Sequence, residues 1–327
     1  MHNPIAVGRR IRQVSANKIR EVAVKAFILG LSALFASGAA HAADTSRFDI
    51  AITVDDLPDH GSLPTGGMTR LGIARAYIKA FKAHRVPQAW GFVNAHGLVV
   101  EPDSIAVLKA WRAAGYPLGN HTYSHMALSG HTLAAWTADL EEGESVLTDL
   151  MAGENWKFLR FPFLDGGDAG NHDAAIAYLT AHHYRIADVS VSFSDWAYTE
   201  TYNRCLAKGD QATVAIMKTR YIASVRAEIV RMKALSQKVY GRTIPQVLLT
   251  HIGGFASVML PQVLDELDRA GAHYVTLEQA ESDPAYAETD AKAGMGTVME
   301  RTAGERGIDI SGIPASASTS DIDGLCR

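Results

Sequence analysis

Cysteine is nearly absent: the chain has two, Cys205 and Cys326, among 327 residues. Two well-separated thiols exclude a four-thiolate metal site and the dense disulfide framework of small secreted domains. They leave room for one bridge, which in an oxidising compartment would pin the C-terminal segment, and the sequence leaves its formation open. Long apolar runs are missing too. The stretch over residues 26–36 falls short of the roughly 20 residues that span a bilayer. Positive charge is not in excess, since 31 Lys and Arg stand against 35 Asp and Glu. With no long basic run, the chain is a poor match for nucleic acid or an anionic membrane surface. A hydrophobic fraction of 47% and a charged fraction of 20% are ordinary for a globular protein with a sizeable core.

What is present begins with a basic opening of Arg9, Arg10, Arg12, Lys18, Arg20 and Lys25, then the apolar run, then Ala40-His41-Ala42. That order reads as a signal peptide over residues 1–42, cut after a small-x-small site. The expectation is a periplasmic or secreted protein with no stable membrane insertion after signal removal; the alternative is an uncleaved amphipathic or core helix. Removing those residues takes six of the 31 basic and one of the 35 acidic residues, which leaves a net charge of −9.

Beyond residue 42, short β-rich runs alternate with amphipathic stretches. Strands are expected over residues 48–54, 89–93, 116–120, 158–161, 184–191, 247–250 and 273–277. Helices are expected over 68–84, 104–114, 133–151, 172–182, 212–240 and 258–270. Such alternation argues for a parallel sheet with helical crossovers. About seven strands in this length suit an α/β fold, an irregular (β/α) barrel. The expected organisation is a signal peptide (1–42), one catalytic domain (43–285) and a flexible C-terminal tail (286–327) rich in small and polar residues. The long segment from Thr199 to Pro245 is a candidate substrate rim.

Ionisable residues gather at the C-terminal ends of the expected strands, where a parallel (β/α) architecture builds its active site. Thr53-Val54-Asp55-Asp56 places two adjacent acids after a strand with side chains pointing apart. One can bind a metal while the other stays free as a base; an Asp pair also suits a turn or a helix cap. In Asn120-His121-Thr122-Tyr123-Ser124-His125 the histidines at i and i+4 fall on one face of a helical turn, close enough to hold one ion. Asp56, His121 and His125 make a two-His, one-carboxylate set with open positions for water and substrate. Imidazole suits Zn2+ and other divalent transition metals such as Co2+, Ni2+ or Mn2+. Arg160-Phe161-Pro162-Phe163 offers an arginine that can orient a carboxylate and a backbone N–H in a rigid turn. Ser194-Asp195-Trp196 offers an aromatic face and an aspartate for a histidine. In Leu248-Leu249-Thr250-His251 a histidine emerges from an apolar strand, as a core residue or, with an Asp partner, as a general acid.

In this order the five motifs resemble the pattern of the polysaccharide deacetylase family, also called the NodB-homology domain or carbohydrate esterase family 4, from about Phe48 to Leu277. The resemblance implies a distorted, NodB-like (β/α) barrel. It also implies Asp55 as catalytic base and Asp56, His121 and His125 as metal ligands, with Arg160 orienting the base. The Phe163 N–H would help hold an oxyanion, Trp196 and Leu249 would line the acetyl pocket, and His251, tuned by Asp195, would be the acid. Three departures stand out. Leu57 occupies a position that is Gly in many members, which makes the following Asp59 or His60 candidate substrate contacts. Ser192 replaces the first Asp of the usual DxxDW pattern, and Leu164 follows the RFPF motif. The implied function is metal-dependent hydrolysis of N-acetyl groups on a glycan of the chitooligosaccharide or peptidoglycan type. The alternatives are O-acetyl ester hydrolysis on xylan or an exopolysaccharide, a non-sugar amidohydrolase, and a non-catalytic metal- or glycan-binding protein.

Overall fold

The computed structural model describes residues 47–288 and 293–327, so the expected signal peptide lies outside the described residues. The central strand is β1 (Phe48–Leu57). All but two of its residues are buried, as expected for a parallel strand covered on both faces. Around it the chain lays down β2 (Ala89–Val93), β3 (Leu118–Asn120), β4 (Phe158–Leu159), β5 (Arg185–Ile186), β6 (Val191–Ser192), β7 (Gln246–His251) and β8 (Ala272–Tyr274). The order is β5-β4-β3-β2-β1-β7-β6, with β8 pairing the first residues of β1, and every ladder pair is parallel.

The expected strand over residues 184–191 is split. Its two ends become β5 and β6, at opposite edges of the sheet path. The link from Ile186 to Val191 can span at most about 18 Å fully extended. The two edges are therefore close, and the sheet is a curled half-barrel whose gap is bridged by the chain itself. This is the distorted (β/α) barrel read from the sequence.

Helices fill the crossovers: α1 (Arg70–Ala83), α2 (Gly97–Val100), α3 (Ile105–Ala113), α4 (Leu133–Glu142), α5 (Glu144–Leu150), α6 (Ala169–Ala181), α7 (Thr199–Ala207), α8 (Gln211–Tyr240) and α9 (Gly254–Arg269). Side-chain oxygens of Thr69, Thr132, Asp168 and Asp210 cap α1, α4, α6 and α8, each satisfying orphan N–H groups of a first turn. The helix expected over 133–151 breaks at Gly143. Asn120 Nδ2 donates to Leu140 O at 3.0 Å, taking the carbonyl that Glu144 N–H would use in a continuous helix.

The segment offered as a substrate rim is largely scaffold. In α7, Thr199, Thr201, Tyr202, Asn203 and Cys205 are buried, and Tyr198, Tyr202 and Tyr221 ring Phe255 of α9. The expected flexible tail is also corrected. After α10 (Leu277–Ala280) and α11 (Pro284–Ala287) comes α12 (Val298–Glu305), opened by a Thr297–Glu300 capping box. It buries Val298, Met299 and Ala303. Ile322 is fully buried, and Cys326 is bonded to Cys205, 121 residues upstream. Val298, Met299, Ala303 and Ile322 make no periodic stripe in the sequence, although each is buried.

Candidate active site

The site is built where β1 ends. Asp55 is 2% exposed, and both its oxygens accept from Arg160 Nη1, at 3.0 and 3.2 Å. Arg160 is fully committed. Nη2 donates to Thr53 Oγ1 at 3.0 Å, Nε donates to Ala187 O, and the guanidinium lies 4.7 Å from the centre of the Phe92 ring. Asp56 takes a left-handed backbone, φ 65°, just where the pairing of β1 with β2 slips between Val54 and Leu57. The two adjacent carboxylates consequently diverge, one locked on arginine and one facing the histidines.

His121 and His125 do not share a helical turn, contrary to the sequence expectation. They lie in a loop in which Thr122 and His125 both have positive φ, 58° and 62°. The loop is tied to the interrupted helix above it. Tyr123 N–H donates to Asp139 O, and the Asp139 carboxylate accepts from Ser124 N–H and Oγ. Asn120 Oδ1 accepts from Thr122 N–H. The outcome is still a histidine pair, with ring centres 4.8 Å apart. His121 Nδ1 is 2.7 Å from Arg160 O. A carbonyl only accepts, so Nδ1 carries the proton and Nε2 is left with its lone pair.

Asp56, His121 and His125 form the one group of three or more such side chains, among the described residues, whose ligand atoms all lie within 4.8 Å of one another. Asp56 Oδ1 is buried with no hydrogen-bond partner. It lies 3.4 Å from His121 Nε2 and 3.5 Å from His125 Nε2. Ligand atoms each about 2.0–2.1 Å from a tetrahedral zinc sit about 3.3 Å apart, so an orphaned carboxylate oxygen facing two imidazoles fits a divalent cation. The protonation states agree. Burial alone would raise the Asp56 carboxyl, but the neighbouring His121, His60 and His251 hold it well below the usual range. Burial, with the neighbouring His121, pushes His125 down to about 4, which leaves a neutral imidazole at pH 7, as ligation requires.

His251 is the last residue of β7. The β1–β7 ladder sets it opposite Asp55, and its Nδ1 is 2.9 Å from Asp195 Oδ1. The other oxygen, Asp195 Oδ2, accepts from His251 N–H at 2.8 Å and from Thr250 Oγ1. Burial lowers the imidazole pKa, but Asp195, helped by Asp56 and Asp55, more than reverses this and lifts it to about 9. Below that value the ring is a proton donor; above it the donor form is lost. Activity should therefore fall on an alkaline limb at or below about pH 9, since a cation held by Asp56 lowers the value. In Asp195→Asn the limb should move about one unit or more to acid. A pH–rate profile of kcat that keeps its alkaline limb in that variant would remove His251 from the proton transfer.

The three residues expected to line a pocket differ in exposure. Phe163, 60% exposed, puts its ring 4.4 Å from that of His125, and its φ is 60°. Trp196 is 52% exposed, one residue after the buried Asp195. Leu249 is buried on β7, paired with Ser192 of β6, the position usually held by Asp. Left-handed non-glycine residues concentrate here (Asp56, Thr122, His125, Phe163, Leu164 and Ser194), as strained backbone commonly does at functional sites.

Sequence reading missed the supporting residues. Thr53 and Asn120 carry no signal beyond their place next to motifs, and Asp139, inside a helix, carries none. Asp165, just after the departing Leu164, is buried and accepts from Ser129 N–H and Oγ and from Gly167 N–H. It ties the histidine loop to the RFPF turn. Of the two candidate substrate contacts, Asp59 faces Arg70 at 3.4 Å, and His60 Nδ1 lies 2.6 Å from Asp56 Oδ2.

A curled parallel sheet that gathers these groups at the C-terminal ends of its strands is the NodB-like (β/α) class. The family model described as polysaccharide deacetylase matches residues 42–187, which hold the first three motifs. Solved structures similar to it include the peptidoglycan deacetylase PdaC from Bacillus subtilis, with 16% identity over 74% of this chain and 94% of that one and a TM-score of 0.46. A family 4 carbohydrate esterase from Streptomyces lividans, in complex with acetate, shows 14% identity over 71% and 95%, with a TM-score of 0.46. The polysaccharide deacetylase Bc1974 from Bacillus cereus shows 17% identity over 70% and 92%, with a TM-score of 0.48. A sequence search of curated proteins finds no match.

Proposed function

We propose that the chain is an exported, metal-dependent deacetylase that hydrolyses N-acetyl groups on a glycan of the chitooligosaccharide or peptidoglycan type. The observation that carries this reading is the pairing of a carboxylate locked on Arg160 with an Asp-supported histidine, next to an Asp–His–His cluster. Asp56, His121 and His125 would hold the ion, Zn2+ or another divalent transition metal. When bound, it supplies Lewis-acid polarisation of an acyl carbonyl and a lowered pKa for water.

The remaining chemistry falls to the chain. Asp55, fixed by Arg160, takes the proton from the attacking water. The Phe163 N–H stabilises charge developing on the acyl oxygen. His251 gives a proton to the departing amine, and Asp195 holds its ring. Trp196 and Leu249 wall and floor the acetyl pocket. The products are acetate and a free amine on the sugar. Export is supported by the basic–apolar–small order of residues 1–42 and by the Cys205–Cys326 bridge, which belongs to an oxidising compartment. Among the described residues no helix is long and apolar enough to cross a membrane.

The test is acetate release by the purified protein with added zinc and then with a chelator, against an N-acetylglucosamine oligomer and an acetylated xylan side by side. Chelator-sensitive release from the oligomer alone is the expected outcome. Release from xylan alone would replace the amide reading by an ester one. No release from either, with metal bound stoichiometrically, would leave a binding role.

A further inference from the structure

His60 stands outside the five motifs, yet it makes a short polar contact to the proposed metal ligands. Its Nδ1 lies 2.6 Å from Asp56 Oδ2. An ionised carboxylate only accepts, so Nδ1 carries the hydrogen and donates it. The consequence is an asymmetric carboxylate, with Oδ2 occupied by His60 and Oδ1 buried without a partner and facing both imidazoles.

The loop that carries His60 is itself held from several directions. His60 N–H donates to Ile252 O at 3.2 Å, and Arg70 Nη1 donates to Gly61 O at 2.8 Å. Glu200 of α7 accepts from Ser62 N–H and Oγ, and Asn203 Nδ2 donates to Ser62 O. The imidazole is therefore a fixed donor rather than a mobile surface group, with its ring centre 5.0 Å from that of His251. It is not one of the side chains whose ligand atoms cluster within 4.8 Å.

We propose that His60 is a positioning residue for the metal site: by holding Oδ2 of Asp56 it presents Oδ1 alone as the ligand oxygen. The terminal torsion of an aspartate is broad, so without this bond the carboxylate is free to turn and to offer both oxygens to one ion. Partners of this kind behind a metal ligand contribute about 10- to 100-fold in affinity. The proposal rests on the metal-site reading above.

The experiment strips the purified full chain of metal and titrates it with Zn2+ in competition with a chromophoric chelator, and with Co2+ while the visible absorption is recorded. Wild type is compared with His60→Ala, with His60→Leu, which fills the space without a donor, and with His60→Asn, whose side-chain amide can stand in for Nδ1–H. Thermal unfolding of the metal-free forms identifies which variants fold, and Leu takes the place of Ala if Ala does not. The expected result is affinity weakened about 10- to 100-fold in the donorless variants and largely restored in Asn, with the Co2+ spectrum of Asn matching wild type. Equal affinity in wild type and the donorless variants overturns the positioning role while leaving the metal site intact. An Asn variant no better than the donorless ones, or with a changed Co2+ spectrum, overturns it in favour of His60 as a ligand or packing group. Failure of wild type to bind either ion overturns both this proposal and the metal reading beneath it.

Discussion

Asp55→Asn is expected to bind zinc as wild type does and to release acetate about 100- to 10,000-fold more slowly, the range for losing a positioned general base. Geometry separates the two roles. The orphaned oxygen that faces both imidazoles belongs to Asp56, while both oxygens of Asp55 are engaged by Arg160. Removing the whole side chain would confuse the result, because an unpaired buried arginine costs about 3–5 kcal/mol. Asparagine keeps the volume and one oxygen for Arg160 Nη1 and loses the proton acceptor. His125→Ala is the companion. Its side chain is 30% exposed, so the fold should tolerate its loss, and both metal and activity should go. Metal stoichiometry and kcat, measured together, read out both variants. Full turnover in Asp55→Asn would take the base assignment away.

Cys326→Ser is expected to lower stability by about 2–5 kcal/mol, because the bridge closes a very long loop and long loops lose most entropy on closure. The ends lie 121 residues apart. For a chain of this size that corresponds to a melting temperature roughly 3–9 °C lower, read by thermal unfolding with and without reductant. Cys326 is the better position to change, since Cys205 is fully buried in α7. Equal melting temperatures would mean that the tail is held by its other contacts: Ile322 in the core, and Arg220 on both oxygens of Asp321.

What was legible beforehand follows from how locally each feature is encoded. β2 and the long α8 came out within a residue, because an apolar run and a sustained amphipathic stripe are local signals. The site was legible as a set of motifs because each lies at the end of a strand, where parallel topology collects side chains. Local geometry was not. His121 and His125 are spaced for a helix, but Asn120 takes the Thr122 N–H and the distant Asp139 takes those of Tyr123 and Ser124, and the segment folds as a left-handed loop. Nor does residue spacing show that 184–191 would divide between opposite edges, since that depends on how the whole sheet curls. The packed tail was hidden for a related reason: Ile322 and Cys326 find their partners more than a hundred residues upstream.

The ladder between β1 and β7 sets Asp55 beside His251 and Thr53 beside Leu249. Slipping one strand by a single residue would turn each of its side chains to the opposite face, separating the proposed proton acceptor from its donor. That alignment is maintained by residues with no chemistry of their own, such as Ile52, Val247 and Leu248, all buried. Selection for turnover would therefore act on them as well, and a change there could register as a kinetic defect long before it registers as unfolding.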